Sequence, residues 1–338
     1  MSMNQGSIAN LDYRDYEGPL DSPRFRWWVI AREMCRQTFS RRIYWVLTLL
    51  SGWYYLVLMT VIFFVEQAMG GVSGLAQSAS NGAAGGRGGR GPNPDQMGQF
   101  LDRLIWKHQF IHGFSCGQFY FFLIALLIGA ATIANDNRAN ALLIYLSKPL
   151  SKTDYMVGKW VGVFIPMLTS VGLPSLIFYI WGAVSYQQHG FLSNDPFMFL
   201  KVSVAILTSS VLLTSLIVAI SSLFNQSRIA SASFAGVYVI LRIFTVAMGI
   251  AWLDSQNPNG KIKQALISNL SYFSLDRFNV GMMKISLDTA GSPWFGAPAS
   301  APELPVPNAG VVWAVFGALT LVSMAVTWKK IRAIEVVG

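Results

Sequence analysis

The sequence predicts an all-α polytopic membrane protein with six transmembrane helices. An N-terminal amphipathic interface helix, a short cytosolic helix between the second and third spans, and outer-leaflet helices before the last span complete the expected fold. Three observations predict it. The chain is 53% hydrophobic and 12% charged, against roughly 25% charged in soluble domains. Six windows reach the roughly 20 apolar residues that a bilayer-crossing helix needs: Tyr44–Val65, Phe114–Ala134, Trp160–Val184, Val202–Phe224, Ile229–Leu253 and Ala309–Trp328. Backbone groups inside lipid must satisfy one another, which a helix does within a single segment.

Lys and Arg orient the spans. Fifteen lie before the first span, between the second and third, after the fourth and after the sixth. Nine are spread over the longer connections on the other side. The positive-inside rule then places both termini in the cytoplasm, and the expected location is the cell (inner, cytoplasmic) membrane. The net charge of +9 is therefore a topology signal, because the basic residues cluster at span ends. Nucleic-acid binding is not indicated. Cys35 falls on the cytosolic side and Cys116 near the outer face, so an internal disulfide would have to cross the bilayer. The first apolar run starts at Tyr44 and is too long for the core of a cleavable signal peptide.

In chain order, residues 1–21 read as a flexible cytosolic tail. Residues 22–43 hold FRWWVIAREMCRQTFSRR, whose Trp27, Trp28, Ala31, Met34, Cys35 and Phe39 recur at helical spacing, with Arg32 and Arg36 on the other face. A basic amphipathic helix with tryptophans is expected to lie in the membrane interface. The transmembrane domain occupies 44–328. Its first outer loop, 70–94, is rich in Gly and Ser and buries too little apolar surface to order itself. Asp95 to Gly113 reads as a helix leading into the second span. There His108 and His112 share a face at the spacing of a two-histidine metal clip. No third ligand is nearby in sequence, so the pair is read as a plain interfacial one ahead of a metal clip, and no metal is assigned.

Pro166 and Pro174 permit a kink in the third span. Arg242 stands out in the fifth, because an arginine near a helix centre costs several kcal/mol in lipid and should face protein or water. One reading makes it a substrate-path or gating residue. The other is a structural pair with a carboxylate or with carbonyls of a neighbouring helix. With no acidic residue expected mid-membrane, its partner is sought in backbone, a second copy or an anionic substrate. Residues 254–308 read as short helices on or dipping into the outer leaflet, followed by a Pro-rich connector. Residues 329–338 form a cytosolic tail.

Between the second and third spans lies DNRANALLIYLSKPLSKTDYMVGK, residues 136–159. Polar residues bracket an apolar patch, Leu142 to Leu146, and Pro149 ends it, which is the shape of a cytosolic docking surface. Catalytic motifs are missing: there is no phosphate-binding loop, no H-E-x-x-H, no G-x-S-x-G, and no cluster of intramembrane carboxylates of the kind ion-coupled carriers use. No catalytic residue is assigned.

The run IANDNRANALLIYLSKPLSKTDYMVGKW resembles the signature of permease (transmembrane) subunits of the ABC type-2 exporter family. An acidic residue ends the second span, a Leu-rich helix follows, then a Pro with a nearby Ser, then Gly-Lys before the third span. Asp136, Leu142, Leu146, Pro149, Ser151, Gly158 and Lys159 occupy those places, while Asn140-Ala141 stands where the family usually has Gly-Thr. The resemblance implies that the segment is a coupling helix, with Asp136, Leu142, Tyr145, Leu146, Pro149, Ser151 and Lys159 as its coupling residues and the Arg32/Arg36 helix flanking it. It implies export powered by a separate ATP-binding cassette subunit, which carries the ATP and Mg, so this chain binds no cofactor of its own. The expected partners are that ATPase, a second permease (identical or sibling) and membrane lipids. A non-transporting scaffold or accessory subunit of a larger complex is the competing reading. Ser209, Ser210, Thr214, Ser221, Ser222, Ser231 and Ser233 on spans four and five suit a lined path or plain helix packing alike.

Overall fold

A computed structural model describes residues 25–64, 67, 106–139, 151–186, 191, 195–254, 270, 272–289 and 306–331. All regular structure among them is helical. In chain order the helices are α1 (Arg26–Phe39), α2 (Arg42–Ser51), α3 (Trp53–Phe64), α4 (Trp106–Gly129), α5 (Ala134–Arg138), α6 (Lys152–Ser185), α7 (Met198–Leu223), α8 (Ser227–Asp254), α9 (Leu275–Leu287) and α10 (Ala309–Lys330). The tail 1–21, the Gly-rich loop 70–94, the Pro-rich connector and the patch with Leu142, Tyr145, Leu146 and Pro149 lie outside the described residues.

Among the described residues five helices are long and apolar enough to span a membrane, and a sixth span arises if the pair α2–α3 is counted as one. That pair bends by 55° at Gly52. Gly52 lies against α6, where a Cβ would overlap the ring of Pro174. The third, fifth and sixth windows fall inside α6, α8 and α10, while the second runs past the end of α4 into α5 and the fourth ends one residue beyond α7. The span beginning at Phe114 in the sequence reading starts at Trp106 in the structure, so residues 106–113 of the expected lead-in helix are continuous with it, and 95–105 lie outside the described residues.

Helix α6 is the hub. It runs unbroken through Pro166 and Pro174, although each proline lacks an N–H and frees the carbonyl four residues earlier. Those carbonyls belong to Gly162 and Ser170. Ser51 of α2 donates its Oγ hydrogen to the Ser170 carbonyl at 2.7 Å, and the Cys35 thiol of α1 points at the Gly162 carbonyl at 3.9 Å. The Tyr44 hydroxyl adds a bond to the Pro166 carbonyl at 2.9 Å. The N-terminal helices thus supply what the prolines remove, which in an apolar medium avoids an unsatisfied polar group worth about 1–3 kcal/mol each.

The core is aromatic. Tyr55, Trp106, Phe110, Phe178 and Phe191 pack at one end of the bundle, and Phe122 stacks on Tyr238 with ring centroids 3.8 Å apart. Helix α9 does not rest on the surface. Nine of its residues, including Asn279 and Lys284, are buried, where it packs against α7 and α4. The apolar outer faces of α3, α8 and α10 are exposed, as expected of helices that meet lipid or another subunit.

Candidate functional site at the base of the 136–159 segment

Asp136 sits in α5 and Lys159 on the second turn of α6, so the two bracket the undescribed residues 140–150. The structure brings them together. Lys159 Nζ lies 2.8 Å from Asp136 Oδ2, and the Tyr155 hydroxyl donates to the same oxygen at 2.6 Å. Lys159 also donates to the Thr132 carbonyl at 3.2 Å. Its side chain is 10% exposed and that of Asp136 16%. Charge-assisted bonds of this length, shielded from water, are the strong ones. The two ends of the segment are therefore clamped at its base.

Ser151 has a local part in this arrangement. It is the N-cap of α6: its Oγ accepts the Asp154 N–H at 3.1 Å and its own N–H reaches Asp154 Oδ2 at 3.3 Å. That is a capping box, which satisfies two otherwise free donors and fixes where α6 begins. Tyr155 and Thr132 were not singled out from the sequence. Tyr155 could have been, since it lies four residues before Lys159 and so shares its helix face.

Helix α1 lies along α6 across Gly158 and Gly162, which sit four residues apart. A Cβ on Gly158 would stand 2.7 Å from the Trp27 carbonyl and 2.9 Å from Ile30 Cβ, and one on Gly162 would stand 2.8 Å from Met34 Cβ. Small residues at this spacing let two backbones approach. Ala31, Cys35 and Thr38 are buried in the seam, while Arg32 and Arg36 point away and are exposed.

The profile of the ABC-2 family transporter proteins matches residues 27–327, from α1 to the end of α10. The chain belongs to the ABC-2 transporter family. No curated protein sequence matches it. Proteins of this family are the transmembrane components of ABC transporters, and this one is a multi-pass membrane protein.

Elsewhere in this ABC-2 family protein, Arg242 of α8 has a carboxylate partner. Its Nη1 lies 3.6 Å from Asp276 Oδ2 and donates to the Tyr238 hydroxyl at 3.1 Å. The sequence reading expected no such acid, because Asp276 belongs to a segment that looked peripheral; it opens α9, which is packed inside the bundle. Arg242 itself is half exposed.

At the opposite end from Asp136, Asp195 accepts from Lys201 at 2.6 Å and pairs with Lys107 at 2.9 Å. His108 Nε2 is 2.9 Å from Thr289 Oγ1, and the His112 ring sits beside that of Tyr54. Among the described residues no group of three His, Cys, Asp or Glu side chains is placed to hold a metal.

Burial alone would raise the pKa of Asp195, but the hydrogen bonds and charges of Lys201 and Lys107 outweigh it and hold the carboxyl below its usual value. A depressed carboxylate adds stability that is fully present above the unfolded-state pKa near 3.9 and is lost as pH falls through the lower folded value. Thermal midpoints in detergent at pH 7 and pH 3 should therefore fall further for the native protein than for Asp195→Asn. Parallel lines for the two proteins would show that the lysines do not stabilise the ionised form.

Proposed function

We infer that this chain is the permease subunit of an ATP-driven exporter, coupled through residues 136–159 to a separate ATP-binding cassette ATPase. The carrying observation is the clamp of Asp136, Tyr155 and Lys159, considered in a chain whose family match runs almost end to end. A segment pushed by an ATPase must hand force to its flanking spans, and a segment whose ends were free would absorb the push. Clamped at its base and capped by Ser151, this one transmits displacement to α4 and α6 together.

In this reading Leu142, Tyr145 and Leu146 enter a cleft of the ATPase, Pro149 ends the docking helix, and Arg32 and Arg36 flank the contact from α1. The chain pairs with an identical or sibling permease in the cytoplasmic membrane, with both termini in the cytoplasm. ATP and Mg stay on the ATPase. Arg242, close to Asp276 near the exposed face of α8, is the candidate gating residue.

The docking role is tested by Leu146→Asp. The variant should insert in the membrane normally yet lose copurification with the ATPase by at least about tenfold, the effect of about 1.4 kcal/mol. Undiminished copurification would remove the segment from the interface. Loss of the protein from the membrane would be a folding defect, and Leu142→Asp then serves as the second probe.

A further inference from the structure

The short turn between α4 and α5, Ala130 to Ile133, is gripped from two directions. From α6, Lys159 donates to the Thr132 carbonyl. From α7, the fully buried Ser221 hydroxyl accepts the N–H groups of Ile133 and Ala134 at 3.0 and 3.1 Å and donates to the Ala130 carbonyl at 2.9 Å. One hydroxyl thus takes over three backbone groups that the break between α4 and α5 leaves without helical partners.

The grip is reciprocal. Asn137 Nδ2 donates to the carbonyls of Ser222 and Phe224 at 3.4 and 3.3 Å, at the end of α7 where the chain leaves the helix. Each element caps the other. Helix α7 in turn packs against α9 and α10, so whatever moves α7 reaches the buried helix at the far end of the bundle.

We propose that Ser221 and Asn137 are positioning residues that make span four, α7, part of the driven unit, so that displacement of the 136–159 segment moves spans two, three and four as one body. The ATPase would then act on α9 through α7, in addition to pulling on the spans adjoining the segment. This rests on the permease reading above. A small-residue packing role for Ser221 would need no hydrogen bonds. Here all three bonds fall on the one turn that Lys159 also holds.

The test is a spin-label distance between Thr153→Cys, at the start of α6, and Leu223→Cys, at the end of α7. It is measured on the permease with its copurified ATPase in nanodiscs, nucleotide-free and trapped with ATP and vanadate. Cys116→Ser removes the exposed native thiol, and Cys35 is buried. A second pair, Thr153→Cys with Ile250→Cys on α8, reports whether trapping moves the bundle at all.

With native Ser221, and with Ser221→Thr, the first pair should keep one distance in both states while the second pair shifts. In Ser221→Ala trapping should add a second, longer population to the first pair, with ATP hydrolysis retained. If Ser221→Ala is not recovered from membranes, Asn137→Ala should give the same split. The proposal is overturned if the native first pair lengthens on trapping, or if Ser221→Ala leaves it at one distance while the second pair still shifts. If no ATPase copurifies and neither pair responds to nucleotide, the permease reading fails and this proposal falls with it.

Discussion

Lys159→Met is expected to destabilise the protein by about 2–4 kcal/mol, somewhat below the cost of breaking a fully buried ion pair because Asp136 keeps some exposure. The variant leaves the carboxylate with the Tyr155 hydroxyl as a donor and removes the donor to the Thr132 carbonyl. The loss should appear as a lower thermal midpoint in detergent and as reduced recovery of monodisperse protein. Adding Asp136→Asn to Lys159→Met should restore part of it, since the stranded charge is then gone. A double variant as unstable as the sum of the two single ones would mean that the residues do not interact, and the clamp would lose its energetic basis.

Gly158→Leu should separate α1 from α6. The atom closest to the new Cβ is the Trp27 carbonyl oxygen, a backbone group that cannot rotate away. Overpacking of this kind costs about 1–3 kcal/mol when a core can adjust, and the upper end applies where backbone opposes backbone. Gly162→Ala should be milder because it adds a single methyl, although that methyl meets Met34 Cβ, which rotation of the Met34 side chain does not move. As α1 lifts, its Arg26, Arg32 and Arg36 become cleavable by trypsin in the folded protein. If Gly158→Leu melts at the native temperature and α1 keeps its protection, the close approach of the two helices contributes little.

These two expectations concern neighbouring residues that the sequence revealed to different degrees. Gly158 and Lys159 were legible as part of a recurring signature, but what they do was not. The Gly-Lys pair serves two separate contacts: Gly158 admits the backbone of α1, while Lys159 faces away from α1 and locks onto Asp136 and Thr132. Ser151 was legible as well. The resemblance named it as a coupling residue, whereas its S-x-x-D spacing, a capping-box pattern, went unused, and its structural part is to start α6. Ser221 appeared in the sequence only as one of several small polar residues on two spans, because nothing local marks a hydroxyl that will cap a turn 88 residues away.

The sequence by itself determined the helical class and the multi-pass membrane character of the chain, and its basic residues set an expectation for the sidedness. Each follows from local quantities: the length of an apolar run against the thickness of a bilayer, and the placement of Lys and Arg at its ends. Only the tertiary structure decided how the prolines of α6 are tolerated, which acid answers Arg242 and what holds the base of the 136–159 segment. The bonds from Ser51 and Cys35 reach across 119 and 127 positions, and Asp276 meets Arg242 because α9 folds back into the bundle. In lipid every polar group must find a partner within the protein. The sequence announces that need wherever a Pro, Arg or Asp interrupts an apolar run. Which residue meets it depends on how the helices pack, and helix packing is set by shape across the whole bundle.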